Sequence, residues 1–444
     1  MVTLKFLTRR ILHFGCFTIF LCPLFITSQI DVIAESKLTF EKDGIKISSR
    51  FYSTHPLQSE HQGITNLVIV VHGTNRNADD YFDNMKAALA QRPLQVSSTA
   101  IIAPQYLTES DIDFHGLSED HVYWSSDGWK SGSNSRDESS NPRDIRIPSF
   151  EVQDTLIMRA LPSFPNLRQL VFTGHSAGGQ FTNRYTASSP IFEILCIESG
   201  ISSKSIIANP GTYVYMSPER RVGGSETEFA IPNIDCPDYN EWSFGLEDLF
   251  VYPTRAGAEQ IKEWYSSREV VYLLGQNDND PNASTLPRSC RAMTFGNHRY
   301  ERGRIYYNHI VITFGEEVKS VHSKVEIPNI GHNNFEMYNS EEGLRVLFDE
   351  APLQSCNTII STKEITLSDL AIYPNPAEFK IRINDDDLEE IETLQILDIR
   401  GQVQLNFGET RGTNEFDISQ LSSGIYWIKI YSKKKIFVSK FIKT

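Results

Sequence analysis

Ser176 lies in "GHSAGG", a G-x-S-x-G pattern with Gly174 and Gly178 two residues to either side. A serine on a sharp strand-to-helix turn tolerates little bulk at those flanking places, and the turn holds its hydroxyl out as a nucleophile. A serine hydroxyl is weak alone. It needs a histidine base, itself oriented by a carboxylate. "VVYLLGQNDNDP" offers Asp278, at G-x-x-D after an apolar run, as first choice for the acid. Asp280 is the second choice, and Glu198 at the end of "CIES" the third. "VEIPNIGHNNF" offers His332, which follows another apolar run and a glycine. His175 fills the variable place of the serine motif and is read as structural. His322 precedes its strand, and His298 and His309 have no comparable placement. The oxyanion formed on attack needs backbone N–H donors. Ala177, next to the nucleophile, supplies one. Thr74 in "HGTNRN" supplies the other, with Asn75 as the alternative.

These residues need a scaffold that brings strand ends together. "IKISSRFYS" alternates like a half-exposed strand, and "LVIVVHG" is a continuous apolar run of the kind buried on both faces. "TAIIAPQ", "RQLVFTG", "FEILCIES", "EVVYLLG" and "SKVEIPN" read as further buried strands. "ADDYFDNMKAALAQ", with acidic residues in its first turn, reads as a helix, as do "PSFEVQDTLIMRAL", "SEEGLRVLFDE" and the stretch after Ser176. Strands alternating with helices predict an α/β domain with a mostly parallel sheet over residues 36–350. Two excursions interrupt it, Tyr106 to Arg146 and Ile201 to about Ala256. Loops this long are usually functional or disordered, and their aromatics argue for order. Trp124 and Trp129 are expected to wall the site entrance and touch substrate.

The pattern changes near Pro352. Residues 351–368 read as a linker, and 369–444 as short strands separated by turns, the rhythm of a small all-β sandwich. At the other end, Lys5, Arg9 and Arg10 precede an apolar stretch broken by His13 and Pro23. Residues 1–34 are read as a cleaved secretory signal, cut after Ser28 or after Ala34. No later stretch reaches the ~18 apolar residues of a membrane span. Export permits disulfides. Cys196, Cys236, Cys290 and Cys356 remain after the signal, and Cys236 with Cys290 is the favoured pair because both lie in polar, loop-like sequence.

The formal net charge of -14 argues against a nucleic-acid partner and against general binding to anionic membranes. No metal-ligand cluster, phosphate loop or dinucleotide fingerprint stands out, so no metal and no cofactor is expected.

From about Ile45 to Phe348, "VVHGTN", "GHSAGG", "GQNDND" and "NIGH" resemble, in content and order, the α/β-hydrolase superfamily. The resemblance implies an eight-stranded, mostly parallel sheet and the chain order Ser, Asp, His for the catalytic set. It implies a serine hydrolase of the esterase or lipase kind acting on a small-molecule or polymer ester, with a peptidase or amidase as the alternative. An inactive hydrolase-like binding protein is the reading from a different class. The tail segments "YPNPAEFKIRI", "LQILDIRGQVQ" and "ISQLSSGIYWIKI" resemble the type A sorting domain of the type IX secretion system. That implies an Ig-like sandwich, an outer-membrane translocon as partner, and a secreted or surface-held product that passes through the periplasm.

Overall fold

The computed structural model describes residues 30–352, 364–366, 371–384, 391–398, 403–408, 414–432 and 435–444. The expected signal core, Cys356 and most of the expected linker lie outside these residues.

Among the described residues ten strands precede the tail: β1 (Ser36–Lys42), β2 (Ile45–Ser53), β3 (Asn66–Val71), β4 (Thr99–Gln105), β5 (Gln169–His175), β6 (Ser202–Ala208), the two-residue β7 (Arg220–Arg221) and β8 (Phe229–Ala230), then β9 (Val270–Gly275) and β10 (His322–Ile327). Eight of them form one sheet in the order β1-β2-β4-β3-β5-β6-β9-β10. The β1–β2 and β2–β4 pairs are antiparallel, and every later neighbour is parallel. This is the α/β-hydrolase fold. β7 and β8 pair only with each other, inside the second excursion.

Among the described residues twelve α-helices accompany these strands, ten between them and two after β10: α1 (Ala78–Ala90), α2 (Pro93–Val96), α3 (Glu109–His115), α4 (Ser149–Ala160), α5 (Ala177–Ser188), α6 (Ile191–Ser199), α7 (Val251–Thr254), α8 (Gly257–Ser267), α9 (Cys290–Met293), α10 (Arg299–Phe314), α11 (Asn334–Asn339) and α12 (Glu341–Leu344). α1 shows the local logic. Asp79 and Asp80 occupy its first turn, where the helix dipole favours anions. Tyr81, Phe82, Met85, Ala88 and Leu89 recur at helical spacing and are buried against the sheet.

The sheet is covered on both faces, which is why its strands read as unbroken apolar runs. Leu67, Ile69 and Val71 of β3 enter one core, and Val68 and Val70 enter the other. Each such side chain contributes about 1.5–3 kcal/mol on burial.

One strand expectation is overturned. "FEILCIES" lies in α6, not in a strand. Ile191, Phe192, Leu195 and Cys196 bury one helical face, and Gly200, at φ 62°, ends the helix. A short apolar run does not distinguish a strand from a buried helix by itself. The strand at this place is β6, within what reads from sequence as the start of the second excursion.

In the tail, β11 (Glu364–Thr366), β12 (Ala371–Tyr373), β13 (Lys380–Asn384), β14 (Ile391–Asp398), β15 (Val403–Phe407), β16 (Glu415–Asp417), β17 (Gly424–Ser432) and β18 (Lys435–Lys443) make two sheets. Their orders are β11-β18-β17-β14-β15 and β12-β13-β16. Ile381, Ile383 and Phe416 from the smaller sheet share a core with Leu394, Ile396, Ile428 and Ile430 from the larger. This is a small all-β sandwich.

Candidate active site

The turn between β5 and α5 is a strained elbow. Ser176 has φ 60° and ψ -117°, in a region that residues other than glycine rarely occupy. Its neighbours explain the motif. A Cβ on Gly174 would come within 2.4 Å of Gly178 O, and one on Gly178 within 2.1 Å of Val71 O. Ser176 N–H donates to Ala208 O (3.0 Å), which ties the elbow to the end of β6.

Asp278 follows β9 and His332 follows β10, so both sit at the same sheet edge as Ser176. His332 Nε2 lies 2.9 Å from Ser176 Oγ, and His332 Nδ1 lies 2.7 Å from Asp278 Oδ2. The structure thus brings Ser176, Asp278 and His332 together in one hydrogen-bonded chain. It does not bring in the alternatives. Asp280 is exposed, and its Oδ1 accepts from Asn282 N–H. Glu198 lies in the last turn of α6, ahead of β6, at the opposite edge of the sheet.

The loops carrying Asp278 and His332 are braced against each other. A Cβ on Gly275 would lie 2.6 Å from Ile330 O, so only glycine permits this approach. Asn277 N–H donates to Ile330 O. Asn209, in a left-handed conformation just after β6, accepts from Gly275 N–H and donates to Gly331 O. Behind Asp278 stands the buried Arg299, whose Nη1 is 3.7 Å from Asp278 Oδ1. Burial lowers the Arg299 pKa, and the Asp278 carboxylate offsets part of that.

His175, in the variable place of the serine motif, packs against His332. Its ring lies 4.5 Å from the His332 ring, and its Nδ1 lies 3.2 Å from Tyr81 Oη. Burial, then the neighbouring His332, pushes its pKa well below the ordinary value, so it is a neutral platform.

The turn 72–76 stands beside this chain. Tyr106 N–H donates to His72 Nε2 at 3.0 Å, which leaves the proton on Nδ1 to donate to Gly73 O at 2.9 Å. Burial lowers the His72 pKa to about 4 and keeps the ring neutral. Arg76 N–H also donates to Gly73 O (3.1 Å). Gly73 C=O and Thr74 N–H belong to one planar peptide and point in opposite directions. Two donors on the carbonyl therefore fix the direction in which Thr74 N–H is presented. Thr74 and Asn75 are exposed, and Ala177 is buried at the first position of α5.

Trp124 and Trp129 require a correction. They are 1% and 0% exposed, so neither lines an accessible wall. Trp124 Nε1 donates to Ser133 O, while Trp129 stacks on Tyr106 and packs 4.7 Å from His72. The first excursion folds inward, and its indoles join the main core on one face of the sheet, where Trp129 stacks with Phe181 of α5. Arg184 of α5 holds both excursions, donating to Lys130 O and Ser243 O.

Cys236 and Cys290 form a disulfide that ties the second excursion to the stretch between Asp278 and Arg299. With Asp238 they are the only grouping of metal-ligand spacing among the described residues, and their sulfurs are joined to each other. No helix of the described residues is long and apolar enough to cross a membrane.

Residues 371–444 match the family described as the secretion system C-terminal sorting domain. The tail is a sorting domain. It addresses the protein to type IX secretion and so to the cell surface or the extracellular space. No curated protein matches the chain. Among solved structures, the chain is similar to poly(aspartic acid) hydrolase-1 from Sphingomonas sp. KT-1, at 21% identity and a TM-score of 0.45, over 71% of this chain and 100% of that one. It is also similar to LpqC, a poly(3-hydroxybutyrate) depolymerase from Bordetella parapertussis, at 18% identity and 0.46, over 73% and 94%. A third is the siderophore hydrolase EstA from Aspergillus nidulans, at 13% and 0.32, over 71% and 92%. At these values the site rests on its own geometry.

Proposed function

We propose that the protein is a secreted serine hydrolase that cleaves a carboxylic ester through an acyl-enzyme intermediate. The observation that carries this reading is the unbroken chain Ser176 Oγ, His332, Asp278, with contacts of 2.9 and 2.7 Å at a strained elbow.

Ser176 Oγ attacks the ester carbonyl carbon and gives its proton to His332 Nε2. Asp278 accepts from His332 Nδ1–H and stabilises the imidazolium that forms. The carbonyl oxygen takes the displaced electron pair and receives hydrogen bonds from the N–H groups of Ala177 and Thr74. Each such donor is worth a factor of ~10²–10³ in rate. The intermediate collapses, the C–O bond to the leaving group breaks, and His332 Nε2–H protonates the departing alkoxide. Water then repeats the sequence: His332 takes its proton, its oxygen attacks the acyl carbon, and Ser176 leaves reprotonated.

A panel of acyl esters and aminoacyl amides, run with wild type and Ser176→Ala, tests the reading. Turnover of esters by wild type alone is expected. Turnover of amides with none of esters would move the assignment to a peptidase or amidase. No turnover of either class by wild type would favour a binding protein.

A further inference from the structure

Residues 30–34 are built into the hydrolase domain and connect, through Asp111 and Gln105, to the 72–76 turn. Ile30 is 4% exposed and packs with Leu107, Ile112 and Tyr123. Its N–H donates to Asp111 Oδ1 at 2.9 Å. Asp111 is fully buried and takes four more donors: Arg76 Nε at 2.9 Å, Arg76 Nη2 at 3.1 Å, Thr108 N–H at 2.7 Å and Thr108 Oγ1 at 2.8 Å. Arg76 closes the 72–76 turn. It is itself buried, has φ 59°, and donates through Nη1 to Thr74 O at 3.4 Å.

A second route runs from the same segment to the same turn. Ala34 N–H donates to Gln105 Oε1 at 2.8 Å, and Gln105 Nε2 donates to Val32 O at 2.9 Å. Gln105 ends β4, and the next residue, Tyr106, gives its N–H to His72. His72 in turn grips Gly73 O. Both routes therefore converge on the peptide that carries Thr74 N–H.

We propose that Ile30–Ala34 is a strap that sets the oxyanion turn, with Asp111 and Gln105 as positioning residues, and that the leader is cut ahead of Ile30, after Ser28. The proposal rests on the reading of Thr74 N–H as an oxyanion donor. Cutting after Ala34 would remove a donor from a buried carboxylate and strip two hydrogen bonds from Gln105. A buried polar group left without its partner is destabilised, and the turn it holds loses its fixed direction. Burial alone would raise the Asp111 pKa. The Arg76 guanidinium and the N–H groups of Thr108 and Ile30 outweigh it and bring the value below the ordinary range, so the carboxylate is charged. None of the strap residues touches a reacting atom, so the effect should fall on kcat and leave KM nearly unchanged.

Two measurements test this. Mass analysis of the protein exported by a host with type IX secretion should find Gln29 as the first residue. An active enzyme beginning at Glu35 would overturn the proposal whatever its substrate. Separately, chains beginning at Gln29 and at Glu35, both with the tail, are compared on a p-nitrophenyl acyl ester. The shorter chain is expected to lose about tenfold in kcat, part of what a whole donor is worth, with KM changed by less than about twofold. Equal kcat would overturn it. If the shorter chain fails to fold, Gln105→Ala in the longer chain is read instead. It frees Val32 and Ala34 without touching the buried carboxylate, and unchanged kcat there contradicts the strap. Loss of ester turnover in the Gln29 chain itself would fault the hydrolase reading, and the mass measurement would still judge the strap.

Discussion

The hydrolase sheet and the tail sandwich treat polar groups in opposite ways. At the sheet edge that carries Ser176, the residues His72, Arg76, Asp111, His175, Asp278 and Arg299 are all less than a tenth exposed. Most of their hydrogen-bonding atoms meet a partner from another loop. Among the described tail residues Lys443 is the one buried charged or polar side chain, and the rest of the buried set is apolar. Its charge pairs, Lys380 and Arg382 with Glu415, lie on the surface, where such pairs are worth little. A site that stabilises developing charge needs fixed, desolvated dipoles. An address read by another machine needs only a packed core and a presented surface.

The largest effect separating the two regions is expected at the acid. Asp278→Asn should reduce ester kcat by a factor on the order of 10⁴, as expected when the base loses its orienting carboxylate. Asp280→Asn should change it little. A reversal of the two, measured by steady-state kinetics, would break the assignment.

Glycines sharpen the contrast. Gly178→Ala places a Cβ 2.1 Å from Val71 O and 2.6 Å from His72 O, so the elbow must open. Soluble yield and melting temperature should both fall. Gly424→Ala in the tail meets nothing closer than 3.5 Å and should change stability by about 0.5 kcal/mol or less. Equal tolerance at both positions would contradict the account of the motif.

Acid should also act on the hydrolase domain. Burial lowers His72 and His322 to about 4 and takes His175 and His309 well below the ordinary value. A base whose folded pKa lies below its unfolded value contributes fully above pH 6.5 and loses that contribution as pH falls toward the folded pKa. Asp154 opposes this. Burial raises it to about 6 despite hydrogen bonds from Tyr185, Tyr252 and Ser189, so its contribution is full below pH 3.8 and is lost as pH rises through 6. Four buried histidines set against Asp154 predict a melting temperature that drops between about pH 6.5 and 4. A flat profile over that window would contradict the buried, neutral histidines.

The smallest effect on catalysis is expected from the tail. Ile428→Ala in its core should cost the sandwich about 2–5 kcal/mol and impair export. Removing everything after Asn357 should leave ester kcat of the purified protein within about a factor of two, because a small sandwich buries its own core. A large loss of turnover on truncation would show that the tail serves the active site.

Much of this was legible before folding. The elbow declares itself because its glycines answer a local steric demand. The strand runs declare themselves because burial on both faces leaves no polar alternation. The contacts of Asn209, Arg299, Asp111 and Gln105 were not legible, because each joins segments far apart in the chain. Asn209 in "ANPGT" is a turn signal only. Trp124 and Trp129 misled for a related reason: aromatic content argues for order in a loop but does not say which way the loop folds. "FEILCIES" failed because its length and apolarity suit either period.

The central claim is that Ser176 is an activated nucleophile. The most direct measurement is peptide-level mass mapping after reaction with a fluorophosphonate, which phosphonylates an activated serine. The account predicts one adduct, on Ser176, that is absent from Ser176→Ala and slowed in His332→Ala. An adduct elsewhere, or none on a folded wild-type protein, would contradict it.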